Sequence, residues 1–252
     1  MSALRYVYAI CRPFSAALSA ELTGVGGIPP RLLRHGGLIA VVGSVPEREF
    51  AAEPLRRRLE DVHWLEATVR AHQGVIDALT AVTSPLPLRL ATVLRDDSGV
   101  RVMMDERRED FLRTLDRLDG RVEWDVSVYA GSTADSGLTG TSGKAGSPGN
   151  SVDEFTRRLH DSLSECAEEN RLLTPRNPDS TRKASPAEQG EKIFDAAYLV
   201  PRADSGEFVE RVNGKVGEEP GMRVELTGPW AAYSFTRSTG LTGFTGLTSC
   251  TG

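Results

Sequence analysis

Four histidines, three cysteines and one pair of adjacent aspartates are the residues of this chain with the clearest potential for chemistry. His35, His63, His72 and His160 form no His-Glu-x-x-His arrangement, and none pairs with a cysteine at metal-ligand spacing. His72 falls on the apolar stripe of a predicted helix, where a hydrogen-bonded core histidine is the expected role. Cys11, Cys166 and Cys250 are odd in number and far apart, which fits a reducing compartment and not a disulfide framework. Asp96 and Asp97 could ligate a metal, but directly before Ser98-Gly99 they read as turn formers. Gly24-Val25-Gly26-Gly27 is the nearest approach to a phosphate-cradling loop, yet it follows no clear strand and is trailed by Pro29-Pro30. No Gly-x-Ser-x-Gly elbow or Walker-type loop occurs. Tyr6 and Tyr8 would suit base stacking on a sheet, but they share a face with Leu4 and Ile10, and no Lys/Arg-Gly-Phe segment accompanies them. No catalytic constellation survives, so neither an enzyme nor a cofactor nor a metal site is expected. The rival class is a stand-alone ferredoxin-like ligand-binding or catalytic domain, which a tightly bound small molecule would reveal.

The bulk numbers agree. A chain of 252 residues suits one large domain or two small ones, with 39% hydrophobic and 26% charged residues. A net charge of −5 argues against a general nucleic-acid or anionic-membrane binder. No run approaches the roughly 18 apolar residues of a membrane span, and no signal peptide is legible at the N-terminus.

The elements that must position these residues follow from periodicity. Leu4 to Ile10 alternates with a period of two, with Leu4, Tyr6, Tyr8 and Ile10 on one face. Residues 11–37 read as a Gly- and Pro-rich loop, and Leu38 to Val42 as a buried strand. Leu55, Leu59, Val62, Leu65, Val69, His72, Ile76 and Leu79 recur at spacings of three and four. That predicts one helix of roughly 40 Å at ~1.5 Å per residue, with Pro54 at its first position. Arg56-Arg57-Arg58 would then open that helix, against its dipole; a solvated face is the plain reading and an acidic partner surface the sharper one. Pro85 and Pro87 start an extended run to Leu94, and Val100 to Met104 reads as its hairpin partner. Asp105 can cap a helix carrying Phe111, Leu112, Leu115 and Leu118, ended by Gly120. Val122, Trp124, Val126 and Val128 alternate as a half-buried strand.

The expected fold class is therefore α+β in two domains. An N-terminal ferredoxin-like antiparallel sheet with helices on one face spans residues 1–130. Residues 131–150, of which 13 are Gly, Ser or Thr, read as a linker. A smaller, modified ferredoxin-like α+β domain spans 151–235: a helix from about Val152, a strand Ile193 to Val200, a helix with Phe208, Val209, Val212 and Val216, and a strand Met222 to Leu226. Gly228-Pro229 is expected to turn the chain out of that strand. The segment 174–190 is polar with three prolines, and 236–252 reads as a disordered tail of Leu-Thr-Gly and Phe-Thr-Gly steps.

Several ordered blocks carry a resemblance. They are Tyr6-Val7-Tyr8-Ala9-Ile10, Trp64-Leu65-Glu66-Ala67 with Val69-Arg70-Ala71-His72, Pro85-Leu86-Pro87-Leu88-Arg89, Gly120 to Trp124, Ala197-Tyr198-Leu199-Val200, and Glu225-Leu226-Thr227-Gly228-Pro229-Trp230 followed by Tyr233-Ser234-Phe235. Together they resemble the gas vesicle protein F/L (GvpF/GvpL) family. Two departures stand out: Ala231-Ala232 replaces a usual Pro-Pro, and Leu90-Ala91 replaces a usual Phe-Gly. The resemblance implies a minor gas vesicle protein acting in assembly and nucleation of the gas vesicle inside the cytoplasm. It further implies contact with the apolar shell protein GvpA, whose aggregation it would limit, and with other minor vesicle proteins, but not with nucleic acid or a lipid membrane. Retention as a minor shell component is part of the same expectation. Trp230, Tyr233, Phe235 and Trp64 are the candidate domain-packing or partner-contact residues, with Trp230 and Tyr233 expected to hold the two domains together.

Overall fold

The computed structural model describes residues 3–19, 21–130, 148–173 and 191–238. The chain divides into two compact units, Met1–Asp119 with Trp230–Gly252, and Gly120–Pro229. No helix among the described residues is long and apolar enough to cross a membrane.

The first unit holds β1 (Ala3–Cys11), β2 (Arg31–His35), β3 (Leu38–Pro46), α1 (Glu47–Phe50), α2 (Ala52–Arg58), α3 (Val62–Thr80), β4 (Leu86–Pro87), β5 (Val93–Leu94), α4 (Asp97–Glu106) and α5 (Arg108–Leu118). Its sheet runs β2-β3-β1-β4, with β5 also pairing β1, and the β1 pairings are antiparallel. A register shift between Val7 and Ala9 places Tyr8, Ala9 and Cys11 in the same core as Leu4 and Tyr6. Ile10 is buried outside that core, so the bulge takes it off the face that strict alternation predicted. The core of Leu4, Tyr6 and Tyr8 is closed by Val75, Ile76 and Leu79 of α3, the helical cover expected on one face. A further layer, α4 and α5, covers the other: Arg5, which alternates with Leu4 and Tyr6, meets Asp97 at the start of α4.

Three local readings change. The single long helix is two, because the turn Leu59 to Asp61 breaks it and Asp61 caps α3 by accepting Trp64 N–H at 3.2 Å. Arg56, Arg57 and Arg58 consequently occupy the last turn of α2, where the dipole favours cations. The expected hairpin partner Val100 to Met104 is helix α4, since Asp96 caps its start by accepting Gly99 N–H at 2.9 Å. Asp105 accordingly lies inside α4 and meets His35 at 2.8 Å instead of capping α5. Within 11–37, β2 joins β3 through Gly36-Gly37, both at positive φ (56° and 78°), a two-residue hairpin turn.

The second unit holds β6 (Arg121–Ala130), α6 (Pro148–Ser164), β7 (Glu169–Leu172), β8 (Glu191–Pro201), α7 (Ser205–Asn213) and β9 (Met222–Trp230), in the sheet order β7-β8-β6-β9. This is the complete βαββαβ pattern of a ferredoxin-like sandwich. Phe155, Leu159 and Leu163 of α6 and Phe208 and Val212 of α7 pack on Val122, Trp124, Val126 and Val128. The boundary thus differs from the expected residue 130: β6 pairs along its whole length with β8. Helix α6 starts at Pro148, inside the expected linker. Val216 lies beyond the end of α7 and is exposed. Strand β9 runs on through Gly228 and Pro229 to Trp230, because an edge strand tolerates a residue without an N–H. Residues 131–147 of the expected linker 131–150, the polar stretch 174–190 and residues 239–252 of the expected tail lie outside the described residues. Residues Tyr233–Ser238 of the expected tail boundary form a 3-10 turn.

Candidate functional site

The densest grouping of polar aromatic residues is in the first unit, around the Tyr6-Val7-Tyr8 motif. Both tyrosines are fully buried beneath α3, their ring centroids 4.8 Å apart. Tyr6 OH lies 3.0 Å from His72 Nδ1 and accepts Ala91 N–H at 3.1 Å. The tautomer of His72 decides whether the phenol or the imidazole Nδ1 supplies the proton of that bond. Nε2 is buried without a hydrogen-bond partner among the described residues. Tyr8 OH accepts Val25 N–H at 2.8 Å. The two hydroxyls therefore fasten two loops, 88–92 and 24–28, to the central strand. His72 also faces Tyr8 (5.6 Å) and Tyr233 (6.3 Å) ring to ring, and Phe50 meets Trp64 at 5.5 Å.

Burial sets the protonation states here. It lowers His72 from 6.5 to about 4, raises Tyr8 to about 12 and raises Tyr6 further still. Cys11 is likewise pushed up to about 12. A neutral imidazole, neutral phenols and a protonated thiol inside a sealed core do no acid–base or nucleophilic work near neutral pH. Base stacking on Tyr6 and Tyr8 is ruled out by the same burial. Nor does Gly24–Gly27 cradle a phosphate: Gly24 N–H goes to Ile28 O, Val25 N–H to Tyr8 and Gly27 N–H to Gly24 O.

The four candidate contact residues separate. Phe235 is fully buried, and its carbonyl accepts from the Arg117 guanidinium. Tyr233 packs half-buried on the core of the first unit, and Ala231 is buried within it. Trp230 ends β9, half-buried. Trp64 is half-buried against the same core as Tyr233, in the first turn of α3. Asp97 takes an ion-pairing role that sequence reasoning missed. It accepts from Arg5 at 2.6 Å and from Arg31, and these hydrogen bonds, Arg5 foremost, hold its carboxyl below the usual range. In the second unit, His160 Nδ1 lies 2.8 Å from Tyr198 OH. An open recess there is lined by Glu165, Cys166, Asp204, Glu207 and Arg211. No group of three or more His, Cys, Asp or Glu among the described residues could hold a metal ion.

The model of the family described as Gas vesicle synthesis protein GvpL/GvpF matches residues 4–142 and 149–237. The chain belongs to the GvpL/GvpF family. Gas vesicle protein L of Streptomyces sp. (strain CB03234) is 48% identical over 252 aligned residues, covering 92% of each chain. Gas vesicle protein F of the same strain is 26% identical, over 91% of this chain and 98% of that one. In fold, the crystal structure of GvpF from Anabaena sp. PCC7120 superposes with a TM-score of 0.70 at 17% identity, covering 95% of this chain and 98% of that one. The two-unit α+β architecture is thus that of GvpF. The GvpL/GvpF blocks fall on structural pins: the Tyr-x-Tyr strand on the loop-fastening hydroxyls, Val69 to His72 on the helix facing them, Pro85 to Arg89 on β4 and its loop.

Proposed function

We propose that this gas vesicle protein acts in vesicle assembly by holding the shell protein GvpA in a soluble, deliverable state, without catalysis and without a bound cofactor. The observation that carries the reading is the family match along nearly the whole chain, together with 48% identity to a gas vesicle protein L. A shell protein that exposes apolar surface before assembly aggregates. Covering that surface is favourable by roughly 25 cal/mol per Å² and needs no nucleotide. The sealed, neutral character of the aromatic cluster supports a scaffold role over an active site. In this reading the protein works in the cytoplasm at the nascent vesicle and contacts other minor vesicle proteins there. Of the candidate contacts, Trp64, Trp230 and Tyr233 keep accessible surface, and Trp64, in the first turn of α3, is the first to substitute.

The test is to dilute denatured GvpA into buffer with and without the protein, and to measure what stays soluble and co-elutes. Retained, co-eluting GvpA is the expected result. Equal aggregation in both samples would overturn the holding role and leave family membership intact.

A further inference from the structure

One segment of the first unit is fastened at both ends and weakly held between. At one end Cys11 lies in the β1 ladder opposite Ile39. At the other, Gly24 N–H bonds Ile28 O at 3.0 Å and Val25 N–H bonds Tyr8 OH at 2.8 Å. Gly24 sits so close to Tyr8 that a Cβ there would lie 2.2 Å from the hydroxyl. Among the described residues from 12 to 23, no backbone hydrogen bond reaches a strand or helix; Leu22 N–H bonds only Ser19 O, at 3.1 Å. Outside the segment, its side-chain tie is the ion pair of Arg12 with Asp116, both well exposed. What otherwise seats its described residues is apolar contact: Phe14, Leu18 and Leu22, four residues apart, each half-buried against the core of Tyr6, Tyr8, Val75 and Leu79. From Pro13 to Ala20 the segment carries no charge.

We infer that the described residues of the segment 12–23 form a displaceable strap over an apolar groove of the first unit, and that the groove takes in its place a partner segment bearing large apolar side chains at four-residue spacing. The strap is the template for that occupant, because it shows which side chains the groove accommodates. Apolar contact is non-directional, so a segment held mainly by it exchanges for another of similar apolar area without breaking a ladder. Segments with few backbone bonds open at a small fraction of the global unfolding cost. Pinning at Cys11 and Gly24 keeps the displaced strap local and able to return. This inference rests on the reading that the protein holds an apolar shell protein.

The experiment uses the full chain, wild type and F14S/L18S/L22S, with a fluorescently labelled synthetic peptide of residues 12–24 as probe. The expected result is peptide binding at least tenfold tighter to the variant, whose groove is vacated, than to wild type. Equal binding to both, with the variant folded by circular dichroism, would overturn the strap. Should the variant fail to fold, limited chymotrypsin digestion of wild type decides. Cleavage after Phe14 or Leu18 ahead of any site in β1, β3 or α3 supports the strap, and resistance there until global unfolding overturns it. In a second arm, the variant should retain more GvpA than wild type. Equal retention by both would remove the groove as the shell-protein site while the holding role stands. Retention by neither would sink the holding role and leave the peptide result to judge the strap.

Discussion

Glu-Leu-Thr-Gly occurs twice in this chain, at Glu21–Gly24 and at Glu225–Gly228, and the two copies adopt different structures. The first is an irregular loop of the first unit; the second lies in strand β9 of the other. What they share is tertiary. Leu22 and Leu226 each pack half-buried on their own unit's core. Each glycine then approaches an aromatic ring of a central strand, Gly24 at Tyr8 and Gly228 at Trp124. The same four residues serve as loop or strand because packing partners, not propensity, select the backbone. A second pair makes the same point. His72 with Tyr6, and His160 with Tyr198, each join a helix histidine to a strand tyrosine through Nδ1. The first is sealed and also holds a loop through Ala91 N–H, while His160 keeps solvent exposure.

The largest expected effect breaks the glycine comparison. A Cβ on Gly228 would stand 2.8 Å from the Trp124 ring and 2.9 Å from Glu123 O, at φ +137°. Overpacking and backbone strain together predict a loss of about 4 kcal/mol for Gly228→Ala. Gly24→Ala should cost about half that, roughly 2 kcal/mol, because its loop has no ladder to hold it against Tyr8. Chemical denaturation of the two variants gives the comparison directly; equal losses would mean that the loop is as rigid as the strand.

Next comes pH. His72 has a folded value of about 4 against an ordinary 6.5, so the neutral form is the one the fold favours. Its contribution is complete above pH 6.5 and is lost as pH falls toward 4, because the unfolded chain takes up the proton first. The integrated loss is about 3 kcal/mol, near 1.4 kcal/mol per pH unit within that window. Subtracting the stability curve of His72→Gln from that of wild type isolates this slope. A difference that stays flat from pH 7 to 4.5 would show that His72 is not sealed.

The tyrosine hydroxyls sharpen the same contrast. Tyr6→Phe deletes the acceptor of Ala91 N–H as well as the partner of His72, and should cost about 2 kcal/mol. Tyr198→Phe deletes one bond to a histidine that water can reach, and should cost about 1 kcal/mol. Thermal melts of both variants at pH 7.5 rank them; a reversed order would mean that the loop pin contributes nothing.

Legibility from sequence followed the same physics. Helices with a full apolar stripe (α5, α6) were readable because local pattern and tertiary burial agree there; β8 was readable from its mostly apolar run, and β6 from its alternation, although it is buried on both faces and not half-buried, since Glu123, Asp125 and Ser127 are covered too. The break between α2 and α3 was not, since Leu59 and Val62 continue the stripe although both are exposed; the capping Asp61 was the available signal. Val100 to Met104 looked like a strand because the decisive cap, Asp96, is also a turn former. Strand β2 does not alternate, and only the Gly36-Gly37 pair marked its hairpin. Of the candidate contacts, the aromatic types announced packing, but nothing local could separate fully buried Phe235 from half-buried Tyr233. The strap from residue 12 to 23 was readable only as a loop, since its seating depends on which core lies beneath.

The smallest effect tests a single strained position. Ala91 is the one non-glycine among the described residues at positive φ, 60°. The conformation is imposed from both sides: Ala91 N–H reaches Tyr6 OH, Thr92 N–H closes on Arg89 O at 3.1 Å, and Val7 N–H takes Thr92 O at 2.8 Å. An L-residue in the left-handed region loses roughly 1–2 kcal/mol. Glycine removes that strain but loses more chain entropy on folding, about 0.5–1 kcal/mol. Ala91→Gly should therefore stabilise the protein by about 0.5–1 kcal/mol and raise its melting temperature by about 2 °C. The gain should persist in Tyr6→Phe only in part, because without the hydroxyl the loop is free to relax out of the strained conformation. Equal gains in both backgrounds would show that the strain is local to the turn and owes nothing to the Tyr6 pin.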